Sequence, residues 1–200
     1  MGEGRLDFAR RRRQELLCAL QLAGVREAQT RALGYIDQET MFDFHGLRRR
    51  IAAILEERRP AAVLTHPYEG GHPDHDATAF AVQMACALQP TPPLIYEFTS
   101  YHAGANGEME TGCFLPGQDP GEAVVLSPEE RQRKTRMIEC FVSQQEILSK
   151  FAVGEERFRL APAYDFTSPP HPGKVWYENW DWGITGEHWR RLAEEAMEAA

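Results

Sequence analysis

The 200-residue sequence contains no apolar run of membrane-spanning length, and its opening, Met1-Gly2-Glu3-Gly4, leads into charge instead of a hydrophobic signal core. A cytoplasmic protein with no membrane partner is expected. Cysteine is sparse: Cys18, Cys86, Cys113 and Cys140 are far apart and form no CxxC pair. That spacing argues against a zinc finger or a small disulfide scaffold and predicts free thiols. Lysine occurs only at 134, 150 and 174, arginine supplying the other cations, and no functional reading attaches to the bias. The formal charge of −8 speaks against a nucleic-acid partner, and the basic run Arg10 to Arg13 reads as a solvated helix face. Repeats and low-complexity stretches are absent from the sequence. With 42% hydrophobic and 26% charged residues, the composition is that of one globular domain over residues 1–200.

Periodicity gives an alternation of helix and short apolar strand. Leu6 to Ala23 reads as a helix with Phe8, Leu16, Leu17 and Leu20 inward and Gly24 as its stop. Thr30 to Tyr35 is a candidate strand, Gly46 to Arg59 a second helix blocked by Pro60, and Ala61 to Leu64 a buried strand. Pro73 opens a third helix, whose apolar face is Ala77, Phe80, Ala81, Met84 and Leu88, and Pro93 to Phe98 is another strand. Residues 100–121, rich in glycine and turn formers, read as a long loop or irregular hairpin. A strand at Ala123 to Leu126 precedes the capping box Ser127-Pro128-Glu129-Glu130, from which a long helix is predicted to run to Phe151. Phe158 to Leu160 is a last short strand. The tail carries all four tryptophans, expected mainly to cover the core, and ends in a polar helix over 186–200. The order predicts a three-layer α/β fold with a mostly parallel, Rossmann-like sheet. It starts on a helix where such sheets usually start on a strand.

The densest chemistry lies in Thr65-His66-Pro67-Tyr68-Glu69-Gly70-Gly71-His72-Pro73-Asp74-His75-Asp76. Three of the seven histidines fall there, just past a predicted strand end, where open α/β sheets place their ligands. His72 and His75, three apart at a helix entrance, can present two imidazoles to one cavity with Asp74 between them. Zinc accepts imidazole nitrogen and carboxylate oxygen in such settings, and one histidine can bind metal while the other, oriented by Asp74, stabilises or protonates the product of attack. His66, preceding a proline, is the weakest of the three. His45, His102, His171 and His188 are scattered singles and read as ordinary surface or core residues. A metallo-β-lactamase-type block, His-x-His-x-Asp-His, is disfavoured because position 70 is glycine.

His72-Pro73-Asp74-His75 after a strand resembles the second motif of the PIG-L or LmbE-like family of zinc-dependent N-acetylglucosaminyl deacetylases. Further stretches agree: Arg12 to Leu16, Ala23-Gly24-Val25, Asp37-Gln38-Glu39, Thr65 to Gly71, Ser143-Gln144, Glu156 to Arg159 and Ala163 to Phe166. The resemblance thus runs from about Arg10 to the C-terminus. It implies hydrolysis of an N-acetyl group, or a similar acyl group, on an amino sugar or related amide, with a zinc-bound water as nucleophile. His75 matches the metal ligand, His72 and Asp74 match catalytic positions, and Arg12 and Asp37 match substrate contacts.

The family also opens on a strand ending in His-Pro-Asp-Asp, which supplies two metal ligands and the general base; these 200 residues contain no such block. The resemblance therefore implies an N-terminally incomplete domain without its first strands, holding Zn2+ through an incomplete ligand set and a poor catalyst as written. A block encoded upstream, or a remnant protein, would account for it. Missing strands would leave sheet edges and an apolar face uncovered and favour self-association into a homo-oligomer or capture of a partner. The alternative function is a non-catalytic carbohydrate- or partner-binding protein that keeps the pocket.

Overall fold

A computed structural model describes residues 4–199, apart from the side chain of Arg5. The chain divides into two compact units, residues 1–32 with 124–156, and residues 33–123 with 157–200.

The first unit is helical. Helix α1 spans Arg5–Leu22 and ends at Gly24, whose φ of 75° glycine adopts without a Cβ penalty. Its inward positions differ from those expected, since Phe8 and Leu16 are exposed while Glu15 and Ala19 are buried. The reason is polar: Glu15 accepts hydrogen bonds from the backbone N–H and hydroxyl of Ser143 at 2.8 and 2.7 Å, with Arg12 donating at 3.0 Å. Burial pushes the Glu15 carboxyl up, but those bonds outweigh it and hold it below its ordinary range. Thr30 to Tyr35 forms no strand; a 3₁₀ turn at Glu27–Gln29 leads into irregular chain. Helix α4, Pro128–Glu139, begins at the predicted capping box, where Ser127 and Glu130 satisfy each other's backbone N–H. The predicted run to Phe151 is broken at Cys140-Phe141, and a 3₁₀ turn at Val142–Gln144 precedes the one-turn helix α5, Gln145–Leu148. Contrary to the expectation of free thiols, Cys18 of α1 and Cys140 at the end of α4 form a disulfide across 122 residues. Sequence spacing could not show it, because packing of α1 on α4 creates the proximity.

The second unit holds the core. Helix α2, Phe44–Arg58, is capped by the Asp43 side chain on Gly46 N–H and stops at Arg59, in the left-handed region before Pro60. Strand β1, Ala62–Thr65, pairs parallel with β2, Leu94–Phe98, and β2 pairs antiparallel with β6, Glu155–Leu160. With β5, Glu122–Val125, the sheet order is β1-β2-β6-β5, a mixed arrangement. Helix α3, Pro73–Ala87, buries Ala77, Phe80 and Ala81 as expected, whereas Leu88 lies exposed just past its end. These side chains pack with Phe44, Tyr68, Phe166 and Trp189 of the C-terminal helix α6, Gly186–Glu198. The predicted last residue of that helix, Ala200, lies outside the described residues. On one sheet face Leu64, Tyr96 and Leu160 occupy facing register positions and all remain exposed, joined by Leu94. Residues 100–121 contain the hairpin of β3, Tyr101–Ala103, and β4, Met109–Thr111.

Candidate functional site

The β1 strand delivers Thr65 and His66 at its carboxyl end, and the loop that follows is tied by one carboxylate. Asp76 Oδ1 accepts the backbone N–H groups of Glu69 and Gly70 at 3.1 Å each. Burial pushes Asp76 up to about 7, against those two bonds. Gly71 packs so closely on the Tyr101 carbonyl that a Cβ there would overlap it. The glycine therefore lets the loop lie against β3 and brings the next residues under its edge.

His72 caps α3. Its Nδ1 accepts the Asp74 N–H at 3.2 Å, which leaves the ring proton of the neutral imidazole on Nε2. Nε2 faces the exposed carboxylate of Asp37, 3.8 Å away. Asp74 in turn accepts the backbone N–H groups of Gln38 at 2.7 Å and Thr40 at 3.2 Å, so it pins the 37–40 loop over His72. His75 lies flat on His66, with ring centroids 3.9 Å apart and 4° between planes, and its Nδ1 is 3.3 Å from Ser100 Oγ. The rings of His72, at 5.1 Å, and Tyr101, at 5.4 Å, complete its surroundings.

All three imidazoles are disposed to be neutral. Burial lowers His66 to about 4, with His72 adding to the effect. His75 is lowered well below its ordinary value by burial, then by His66 and His72. Burial lowers His72 too, against the pull of Asp74 and Asp37. Neutral imidazole is the form that binds metals or donates one defined hydrogen bond. His66 Nδ1 is buried without a hydrogen-bond partner.

The sequence-predicted residues His72, Asp74, His75 and Asp37 are thus gathered in one place, and His66 with them. Asp37, His72 and Asp74 bring ligand atoms within 4.8 Å of one another, a group able to hold a metal ion. Arg12 belongs to the first unit, where it donates to Glu15 and its guanidinium lies over Phe141 at 5.5 Å. Ser100 and Tyr101 carried no sequence signal of their own, and Trp182 was one of the four tail tryptophans expected mainly to cover the core. Trp182 presents its ring to His72 at 5.4 Å and stacks on the exposed Trp180.

Beside the loop lies a buried acidic group. Glu69, Asp76 and Glu97 are all nearly inaccessible, and Arg159 is the buried cation that pairs with Glu97 at 3.0 Å. Tyr164 donates a further hydrogen bond to Glu97 at 2.9 Å. Burial drives Glu69 well above its ordinary value, with Asp76 and Glu97 reinforcing the rise. Asp76 ties the loop through its two backbone hydrogen bonds, and Glu97 is held by Arg159 and Tyr164.

Residues 2–86 match the family model described as PIG-L: GlcNAc-PI de-N-acetylase. An 81-residue stretch is 40% identical to the Probable N-acetyl-alpha-D-glucosaminyl L-malate deacetylase 2 of Bacillus anthracis, covering 40% of this chain and 35% of that protein. The protein of the same name from Bacillus cereus is 35% identical over 81 residues, covering 40% of this chain and 36% of the relative. The matched stretch spans about a third of the length of these curated relatives. Over residues 2–86, which contain β1, the histidine loop and nearly all of α3, this chain is similar to the PIG-L, or LmbE-like, deacetylase family.

Proposed function

We propose that the histidine loop is the metal-binding and acid side of an N-deacetylase site, one that removes an acetyl or similar acyl group from the nitrogen of an amino sugar or related amide. The observation that carries this reading is the opposite orientation of two neighbouring imidazoles. His72 has its Nδ1 occupied by the Asp74 N–H, so Nε2 carries a proton and serves as donor. His75 has Ser100 beside Nδ1; with Nδ1–H donating to that hydroxyl, Nε2 keeps its lone pair for a metal, in the manner of an oriented metal ligand.

Zinc suits this donor set in part. His75 would hold it, beside the stacked His66 ring whose Nδ1 is buried without a partner. His72 is assigned to hydrogen bonding because neither of its nitrogens offers a lone pair in the tautomer that the Asp74 N–H fixes. One imidazole falls short of the three protein ligands usual in catalytic zinc sites, so binding by this chain is weak. When bound, zinc supplies Lewis acidity and a water of lowered pKa.

The protein's own groups supply the rest. His72 Nε2–H donates a hydrogen bond to the amide oxygen as charge develops there, and the proton that the departing amine takes up comes from the attacking water. Asp74 holds the loop that carries Asp37 through its bonds to Gln38 and Thr40, and Asp37 would accept a substrate hydroxyl. Arg12 as a substrate contact rests on the family resemblance alone. The Trp180 and Trp182 rings offer an apolar face for a sugar ring. That stack also favours the second reading, a non-catalytic carbohydrate-binding protein.

The test is acetate release by the full chain from a panel of N-acetylated amino sugars, with zinc titrated. Slow, zinc-dependent turnover is expected. His75→Ala should abolish the zinc dependence, and His72→Gln should lower kcat by about a hundredfold or more with KM little changed. Turnover indifferent to both substitutions would overturn the assignment, and sugar binding without turnover would select the second reading. Tight, stoichiometric zinc that His75→Ala abolishes would show instead that the histidine loop's ligand set is complete.

A further inference from the structure

We propose a second metal site, built by the β3–β4 hairpin from His102, Glu110 and Cys113 and selective for a zinc-class divalent ion. The sequence marked His102 as an ordinary isolated histidine and Cys113 as an ordinary thiol. The hairpin changes that: His102 and Glu110 are direct cross-strand partners, so their side chains stand on the same face. Gly112, at a φ of 72°, then turns the chain and brings Cys113 back toward the pair.

Three features distinguish this trio from a chance meeting. First, His102 is completely buried, and its Nδ1 is engaged by the Ala103 carbonyl at 3.1 Å. That contact puts the ring proton on Nδ1 and leaves the Nε2 lone pair directed at the Cys113 sulfur. Second, the separations are those of atoms that share an ion. The sulfur is 3.8 Å from His102 Nε2 and 3.9 Å from Glu110 Oε2, and all three ligand atoms lie within 4.8 Å of one another. Tetrahedral zinc, with its ordinary bond lengths to nitrogen, oxygen and sulfur, sets such ligands about 3.6 Å apart. The observed spacings exceed good hydrogen bonds and need to contract only slightly around an ion. Third, the Glu110 carboxylate occupies space that Gly104 leaves open, since a Cβ at 104 would overlap it.

Imidazole, thiolate and carboxylate together select zinc over magnesium or calcium, which take oxygen donors. On binding, the Cys113 thiol releases its proton to solvent as the sulfur–metal bond forms. Glu110 and Cys113 are only partly buried, which gives the ion a way in while His102 anchors the site from inside. A water completes the fourth position, and the ion would clamp the hairpin whose first residue, Tyr101, contacts His75.

The full chain, freed of metal by a chelator, is titrated with Co2+ and followed by its absorption spectrum. A thiolate-to-cobalt charge-transfer band is expected. It should vanish in Cys113→Ser and persist in Cys86→Ser, the control for the other free thiol. Glu110→Gln, a milder change, should weaken the affinity read from that band by about tenfold or more. No such band, or a band that survives Cys113→Ser, would overturn the proposal. The histidine loop contains no sulfur, so the band should also persist in His75→Ala, whatever becomes of the deacetylase reading.

Discussion

His66 and His75 lie face to face, their ring centroids 3.9 Å apart and their planes 4° from parallel. Two imidazoles in that arrangement cannot both be charged at modest cost, and burial already disfavours charge on either.

The first prediction concerns that pair. His66 should titrate near pH 4, far below an ordinary histidine, as read from its imidazole resonances in NMR. Because the folded state lowers this pKa, the unfolded chain binds the proton first. The corresponding stability is present above about pH 6.5 and is lost as pH falls toward about 4. His66→Phe should flatten that acid-side loss in denaturation measured between these pH values. An unchanged slope would show that His66 is not its source.

Glu97 and Arg159 form a buried ion pair at 3.0 Å, with Tyr164 donating to the carboxylate. Arg159→Met should cost about 3–5 kcal/mol in urea denaturation, because a buried carboxylate loses its cation. Glu97→Gln on the same background should restore part of the loss. Burial raises the Glu97 carboxyl above its ordinary 4.5, despite Tyr164 and Arg159. Its contribution is therefore full below about pH 4.5 and declines as pH rises through the folded-state value, and Glu97→Gln alone should shallow that decline.

The Cys18–Cys140 disulfide closes a loop of 122 residues. Reduction should lower stability by about 2–4 kcal/mol, read as a drop in thermal midpoint on adding reductant. A Cys18→Ser, Cys140→Ser double variant should be insensitive to reductant.

Gly71 packs against the Tyr101 carbonyl with no room for a Cβ. Gly71→Ala should displace the histidine loop from β3, costing about 1–3 kcal/mol. The near-ultraviolet signal of Tyr101 should change with it. Gly107→Ala is a useful contrast: nothing crowds that site, and the cost there comes from its φ of 81° alone.

The local elements were legible because their causes are local. Pro73 starts α3, Ser127 and Glu130 start α4, and Pro60 blocks α2. The failures share another cause. Phe8 and Leu16 obeyed a helical period but faced outward, because the buried Glu15 found its partners on Ser143, 128 residues away. The predicted helix to Phe151 broke at Cys140-Phe141, where no proline or glycine marks a stop.

By itself the sequence determined that His72, Asp74 and His75 lie together, because they fall within one helical turn at the start of α3. Asp37 was named through family resemblance alone, and its place beside His72 comes from the Asp74 bonds to Gln38 and Thr40. Only the tertiary structure decided which nitrogen of each imidazole is free: Ser100 reaches His75 from the end of β2, and the Ala103 carbonyl fixes His102 within a hairpin. The disulfide and the His102–Glu110–Cys113 cluster are likewise products of packing. Hydrogen bonds and ligand sets form between atoms a few ångströms apart, and chain separation does not encode that distance until strands pair and helices dock.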